Sequence, residues 1–328
     1  MGHLMRCLAL AQEWSRQGGD VTFVAAGAPQ AFAAGLRSAG WDLVCVDSPH
    51  PDPGDWQQMS RTLGKDHAAI VVVDGYHFDL EYQRHITGAG HRLLNIDDAA
   101  DRDGYAGDVL LNQNVHAAAI DYPSDAPRVR LLGPEFALIR AEFPRGESVA
   151  PRWPPQARRL LVTLGGSDRR NHTTTILLAL NRVTLPLEIN VAIGPGNPHR
   201  ALLAEAIRTS VHEVIAHENV TDMSALMASS DFAITAAGST CWELALMGVP
   251  MLALVVADNQ WSLAEELQRR GAAVSLGWYG DLRPEGLAAT VARLAEDEEA
   301  RRHLSRSAMA LVDGRGASRV VAALSALH

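Results

Sequence analysis

The stretch Asp231–Gln260, DFAITAAGSTCWELALMGVPMLALVVADNQ, contains an apolar strand, a small-residue turn, a helix and a Gly-Val-Pro break, then a second apolar strand and a polar tip. That order is one βαβ unit of a parallel sheet, covered on both faces. The turn Ala237-Gly238-Ser239-Thr240 opens the helix, so backbone N–H groups and two hydroxyls lie beyond the strand's carboxyl end. Such a group of donors suits a phosphate or diphosphate. Glu243, one helical turn after Ser239 on the same face, is placed to accept hydrogen bonds from a ribose diol. An ordinary capped helix with a surface glutamate accounts equally well for these residues.

Composition narrows the choice. A chain of 328 residues is long for one core and points to two α/β domains. A hydrophobic content of 47% is that of a globular protein, and a net charge of -9 argues against nucleic acid or an anionic membrane as main partner. Lys65 is the only lysine, and no Gly-Lys-Ser/Thr run exists, so a P-loop is excluded and an anion must be held by helix starts, hydroxyls and arginines. Cys7, Cys45 and Cys241 are widely spaced, with neither metal-ligand spacing nor a disulfide framework. Neither a signal peptide nor a membrane-length apolar run is visible, so the expected location is the cytoplasm, without stable membrane insertion.

Strands and helices alternate outward from the quoted stretch. A helix is expected from about Leu4 to Arg16, then strands at Val21–Ala25, Asp42–Val46, Ile70–Asp74, Arg92–Ile96 and Val109–Asn112. A connector with four prolines, FPRGESVAPRWPPQA at Phe143–Ala157, breaks the pattern and places a domain boundary at 148/149. Beyond it, strands fit Arg159–Leu164, Leu187–Ile193, Val211–Ala216, Ala233–Ala236, Met251–Val256 and Ala273–Leu276, before an amphipathic terminal helix at Gly316–Leu327. Two such halves place a ligand where the strand ends converge. The first residues already read as a helix start although a half of this kind opens on a strand, so the central slot of the N-terminal sheet is expected to be empty.

Several polar groups fall at strand ends. His3, at the start of the first helix, is a natural activator of water, or else a frayed terminal residue. Gly165-Gly166-Ser167-Asp168 follows a strand and permits close backbone approach to a ligand, or forms a plain strand-to-helix turn. Asp74-Gly75-Tyr76 puts a phenol at a strand end, where it either contacts a ligand or packs. Asp258-Asn259-Gln260 is a loop or the far wall of a sugar site. The His, Asp and Glu residues show no metal-specifying spacing.

Taken together, GHLMRCLALA, VVVDGYHFD, LLGPEFALIRAEF, LVTLGGSDRRN, AAGSTCWELALMGVP, VVADNQ and DGRGASRV run in order across nearly the whole chain and resemble one bacterial family. It is the UDP-2,4-diacetamido-2,4,6-trideoxy-β-L-altropyranose hydrolases of pseudaminic acid biosynthesis, relatives of the MurG-like enzymes. The resemblance implies an α/β protein of the GT-B fold, with two Rossmann-like domains, 1–148 and 149–328, facing across a cleft and the terminal helix packing back on the first. It implies that water displaces UDP from the anomeric carbon with inversion, without metal or cofactor, in a pathway feeding flagellin or surface glycosylation. By motif, His3 takes the place of the catalytic base, with Tyr76 and Asn259 lining the sugar and attacking water. Gly165, Gly166, Gly238, Ser239, Thr240 and Glu243 take the places of the UDP site. Relative to the family, the given sequence starts inside the loop before the Gly-His pair, so the family's first strand is expected to be absent from it, through either a misassigned start or a lost strand. Two alternatives stand beside the hydrolase: a GT-B glycosyltransferase using a UDP-sugar donor, and a truncated, non-catalytic UDP-binding protein.

Overall fold

The computed structural model describes residues 2–64, 69–144 and 151–327. Lys65 lies outside them, and so does the 148/149 boundary expected from the proline-rich connector. Contacts divide the chain into two units, one of His3–Arg140 with the segment from Arg315 onward, the other running from Ala141 to Gly314.

The second unit is a six-stranded parallel sheet. Its strands are β7 (Arg159–Thr163), β8 (Glu188–Ile193), β9 (Glu213–Glu218), β10 (Phe232–Ala236), β11 (Met251–Val255) and β12 (Val274–Trp278), in the spatial order β12-β11-β10-β7-β8-β9. The first three strands build outward from β7 in one direction and the last three from β10 in the other. The order therefore reverses between β7 and β10, and the loops leaving these two strands diverge to open a crevice. The core beneath is continuous: Leu160, Val162, Ile189, Val191, Phe232, Ile234, Leu252 and Leu254 are all buried against helices packed over the sheet. Asp231 fastens the two central strands at their starts. Its carboxylate accepts from the Arg158 and Arg159 N–H groups, each at 3.0 Å, and from Arg159 Nη2 at 2.7 Å.

Among the described residues the first unit holds six strands in two sheets. Strands β1 (Thr22–Ala25) and β2 (Asp42–Cys45) pair in parallel, and β3 (Ile70–Asp74), β4 (Arg92–Ile96), β5 (Val109–Asn112) and β6 (Val129–Leu132) form a separate four-stranded parallel sheet. Among the described residues β1 and β3 belong to separate sheets. Helix α1 (Gly2–Arg16) serves both sheets. Its Ala11 packs with Phe23, Phe32 and Leu36 on one side, and its Ala9 and Leu10 pack with Leu94, Ile96 and Leu111 on the other. The last helix, Gly316–Ser325, adds Ala317, Val320, Val321 and Leu324 to that second cluster.

Most expected elements form with ends moved by one or two residues, and two edge strands differ more. β6 is absent from the sequence reading because its residues, VRLL, are half exposed and give no apolar run. β9 starts at Glu213 rather than Val211, which is 70% exposed; pairing with β8 from Glu188↔Glu213 sets its register, not hydrophobicity. Burial raises the Asp231 carboxyl, but the Arg159 side chain and two backbone donors override it and hold it below the ordinary aspartate range. Asp231→Ala is expected to destabilise the fold by about 1–3 kcal/mol in denaturant titrations, because two backbone donors lose their acceptor.

Candidate functional site

The first unit gathers a charged cluster at the carboxyl end of its sheet. Asp74 ends β3 and Asp98 follows β4, and Arg6, on the second turn of α1, reaches both. Arg6 Nε donates to Asp74 Oδ2 at 2.6 Å and Nη2 to Oδ1 at 2.5 Å, a bidentate pair. The same guanidinium donates through Nη1 to Asp98 Oδ1 at 2.8 Å and through Nη2 to Oδ2 at 3.0 Å. Burial pushes both carboxyls up, and the guanidinium overrides it to hold both below the usual carboxylate range. Arg102 braces the loops that carry these groups, donating to the carbonyls of Phe78 at 2.8 Å and Gly75 at 3.0 Å.

His3 sits against this cluster. Its Nδ1 lies 2.6 Å from Asp74 Oδ1. An ionised Asp74 has only acceptors, so the proton in that contact belongs to Nδ1, and in the neutral ring the Nε2 lone pair is the basic one. The side chain of His3 is 38% exposed while that of Asp74 is 2% exposed, so the imidazole stands at the surface on a buried support. This removes the frayed-terminus reading: the third residue of the chain is tied to a position 71 residues away. Tyr76, 52% exposed, stands edge-on to the His3 ring at 5.2 Å and donates its hydroxyl to Asp98 Oδ2 at 3.0 Å. Asn114 Nδ2 donates to Asp98 Oδ1 at 3.1 Å.

Sequence reasoning missed Arg6, Asp98 and Asn114. Arg6 lies one turn after His3, a signal at the right spacing, but nothing local marks Asp98, whose partners come from three other segments. Two cysteines are removed as nucleophiles. Burial pushes the Cys7 thiol well up, with Asp74 adding to it, and burial pushes Cys241 up to about 12.

The second unit brings the glycine-bearing loops to the reversal of its strand order. The turn after β10 closes through bonds from Gly238 N to Ala236 O, Cys241 N to Gly238 O and Trp242 N to Ser239 O, leading into helix α8 (Thr240–Leu246). Ser239 makes no capping bond with its side chain, so the hydroxyl is spared for other use. Gly238, Ser239, Thr240 and Glu243 are all half-buried, while their neighbours Ala237, Cys241, Trp242 and Leu244 are buried. The loop after β7 has Gly165 at φ +90°, a left-handed conformation that favours glycine. Gly166 lies against Gly194 so closely that a Cβ on Gly194 would stand 2.3 Å from the Gly166 carbonyl oxygen. Asp168 caps the following helix, accepting from His172 N at 2.8 Å and Thr173 N at 2.9 Å, which assigns it to structure rather than to a ligand. Asn259 occupies a short 3₁₀ turn, Asp258–Gln260, whose Gln260 accepts from Val256 N at 2.9 Å. A Cβ on Gly238 would lie 3.9 Å from Gln260 Nε2, so the turn after β10 and the loop after β11 adjoin.

Comparison with known proteins agrees with this architecture. Residues 160–318 match the family model described as the glycosyltransferase family 28 C-terminal domain. The chain is 30% identical to the spore coat polysaccharide biosynthesis protein SpsG of Bacillus subtilis over 210 residues, covering 62% of this chain and 58% of that protein. It is 27% identical over 314 residues to a UDP-N-acetylglucosamine–N-acetylmuramyl-(pentapeptide) pyrophosphoryl-undecaprenol N-acetylglucosamine transferase of Solidesulfovibrio magneticus, covering 84% of this chain and 81% of that one. A shorter match, 32% identity over 114 residues, is to the pseudaminic acid cytidylyltransferase and UDP-2,4-diacetamido-2,4,6-trideoxy-β-L-altropyranose hydrolase of Helicobacter pylori. It covers 35% of this chain and 20% of that protein. The crystal structure of Acinetobacter baumannii MurG superposes with a TM-score of 0.64 at 18% identity, over 98% of this chain and 95% of that one. The fold is GT-B. Among the described residues no helix is long and apolar enough to cross a membrane.

A pH series tests the charged cluster. Because the folded Asp74 is held below its unfolded value, its stabilising contribution is complete above about pH 4 and fades as the pH falls through the lower folded value. The stability gap between the parent protein and Asp74→Asn is therefore expected to be widest at neutral pH and to narrow in denaturant titrations at progressively acid pH.

Proposed function

We propose that this protein hydrolyses a UDP-activated diacetamido-trideoxyhexose, releasing UDP and the free sugar with inversion at the anomeric carbon. The observation that carries the reading is the His3–Asp74 contact at 2.6 Å. It presents the second imidazole nitrogen as a base, with a buried carboxylate behind it to stabilise the imidazolium that forms. His3 activates the water, while Tyr76 and Asn259 line the sugar and the attacking water. In the second unit, Gly165, Gly166 and Gly238 allow close approach of the diphosphate, and Ser239 and Thr240 donate to it. Glu243 accepts from the ribose diol.

The chemistry fits this division of labour. UDP is a good leaving group, so the main demand is to stabilise charge growing on the diphosphate. Backbone donors at the start of α8 and two hydroxyls meet it without a lysine. The base supplies the remainder, about 10²–10⁴-fold. The partial match to the Helicobacter pylori protein supports the choice of sugar.

A glycosyltransferase using the same donor is the second reading, favoured by the family-28 C-terminal match and by likeness to the Solidesulfovibrio magneticus transferase over 84% of the chain. Incubation with the UDP-sugar in ¹⁸O-water, without any acceptor, separates the two. Label in the released sugar supports hydrolysis at carbon; label in UDP, or no release without an acceptor, overturns it. His3→Ala is expected to lower turnover by about 10²–10⁴-fold with UDP affinity nearly unchanged, in steady-state kinetics and calorimetry. Glu243→Ala should weaken UDP binding by about 10-fold or more through loss of a charged acceptor, read by the same calorimetry.

A further inference from the structure

The loops proposed to hold the nucleotide sugar follow the strand order of the second unit. The diphosphate contacts leave β7 and β10, and Asn259, the sugar contact, follows β11. One strand further in the same direction is β12, at the edge of the sheet. Its last residue, Trp278, is placed by a bulge. Ser275 pairs with Ala253 and Trp278 with Val255, so Leu276 and Gly277 together oppose Leu254. Gly277 takes the left-handed conformation this needs, at φ +69°, and donates its N–H to Ser275 Oγ at 3.2 Å. An inserted residue changes the face that the next side chain takes. Here it brings Trp278 onto Trp261, which opens the helix Trp261–Arg269 directly after Asn259 and Gln260.

The two indoles lie 8° from parallel with centroids 6.2 Å apart, the spacing of rings in mutual contact, so they form one apolar surface rather than a slot for a third ring. Trp261 is 40% exposed, a large share for a residue that is mostly covered in folded proteins. From Trp278 the aromatic row continues to Tyr279 at 4.6 Å, and the Arg170 guanidinium lies 5.0 Å over that ring. Arg170 belongs to the loop of Gly165 and Gly166. The row therefore starts beside the proposed sugar contact and ends, with a cation, at the proposed diphosphate loop.

We propose that Trp261 and Trp278 are the platform for the far side of the sugar, taking its C6 methyl and 4-acetamido methyl groups and selecting a deoxy sugar over its hydroxylated counterpart. The proposal deepens the hydrolase reading and rests on its placement of the nucleotide sugar. Carbon 1 of the sugar is bonded to the diphosphate, so carbons 4 to 6 are the far side and extend past β11 toward β12. The uridine, on the other side of the diphosphate, lies away from these rings. Methyl groups gain by leaving water against indole faces, whereas a hydroxymethyl group gives up hydrogen bonds that the faces do not return.

The test compares two substrates: UDP-2,4-diacetamido-2,4,6-trideoxy-β-L-altropyranose and its analogue with a hydroxymethyl group in place of the C6 methyl. UDP release gives kcat/KM for each with the parent protein, Trp261→Ala, Trp278→Ala and Trp278→Phe, and calorimetry gives the affinity for UDP alone. The parent is expected to prefer the methyl sugar by about 10-fold or more. That preference should fall by about 3- to 10-fold in either alanine variant and be mostly kept in Trp278→Phe, with UDP affinity unchanged. A general structural loss slows both substrates together and leaves their ratio unmoved. A ratio unchanged in both alanine variants overturns the platform and leaves the hydrolase reading standing. Should Trp278→Ala fail to fold, Trp261→Ala decides alone. No UDP release by the parent from either sugar brings down the hydrolase reading, and the ratio of the two affinities in calorimetry then decides the platform.

Discussion

Arg6 is held between two carboxylates that come from different strand ends, and the surface chemistry of the first unit follows from that arrangement. The Asp74 side chain is buried and that of Asp98 largely so, and without a cation desolvation would drive both toward the neutral form. With Arg6 in place they stay charged, and each fixes a group that reaches solvent, His3 by one and Tyr76 by the other. Breaking such a cluster at any member leaves a buried charge uncompensated, so its parts stand or fall together. The same cluster ties α1 to β3 and to the loop after β4, in a unit whose strands do not form one continuous sheet.

That division of strands gives α1 an unusual burden. In a continuous sheet, backbone bonds would join β1 to β3. Here the helix packs Ala11 with the Phe23 cluster and Ala9 and Leu10 with the Leu94 cluster. The helix that carries His3 and Arg6 is thus also the element that packs against both sheets, and the proposed base and the packing of the unit draw on the same fifteen residues.

The second unit works by topology rather than by charge. Its two glycine-bearing loops are far apart in sequence, at Gly165 and Gly238, yet they leave adjacent strands on either side of the reversal in strand order. Close contact of Gly166 with Gly194 adds the loop after β8 to the same edge. A side chain on Gly194 would strike the Gly166 backbone, so a small residue is needed where those two loops meet.

Much of this was legible in the chain itself. Short β-branched runs such as IVVVD and MLALVV, each ending in a polar or glycine turn, determine a parallel α/β fold in two units, because strands buried on both faces cannot hide their composition. Gly165, Gly238, Ser239 and Glu243 were visible as candidate ligand contacts at strand ends, and His3 as a candidate base, since each lies in a local pattern. The edge strand β6 escaped, and β9 was placed two residues early, because half-exposed strands carry little apolar signal. What only the tertiary structure decided is the bonding of His3, Tyr76, Arg6, Asp74, Asp98 and Asn114 into one cluster. Sequence patterns report neighbours three or four residues apart, whereas these pairs span 16 to 92 positions, and which way a shared proton points depends on all of them at once.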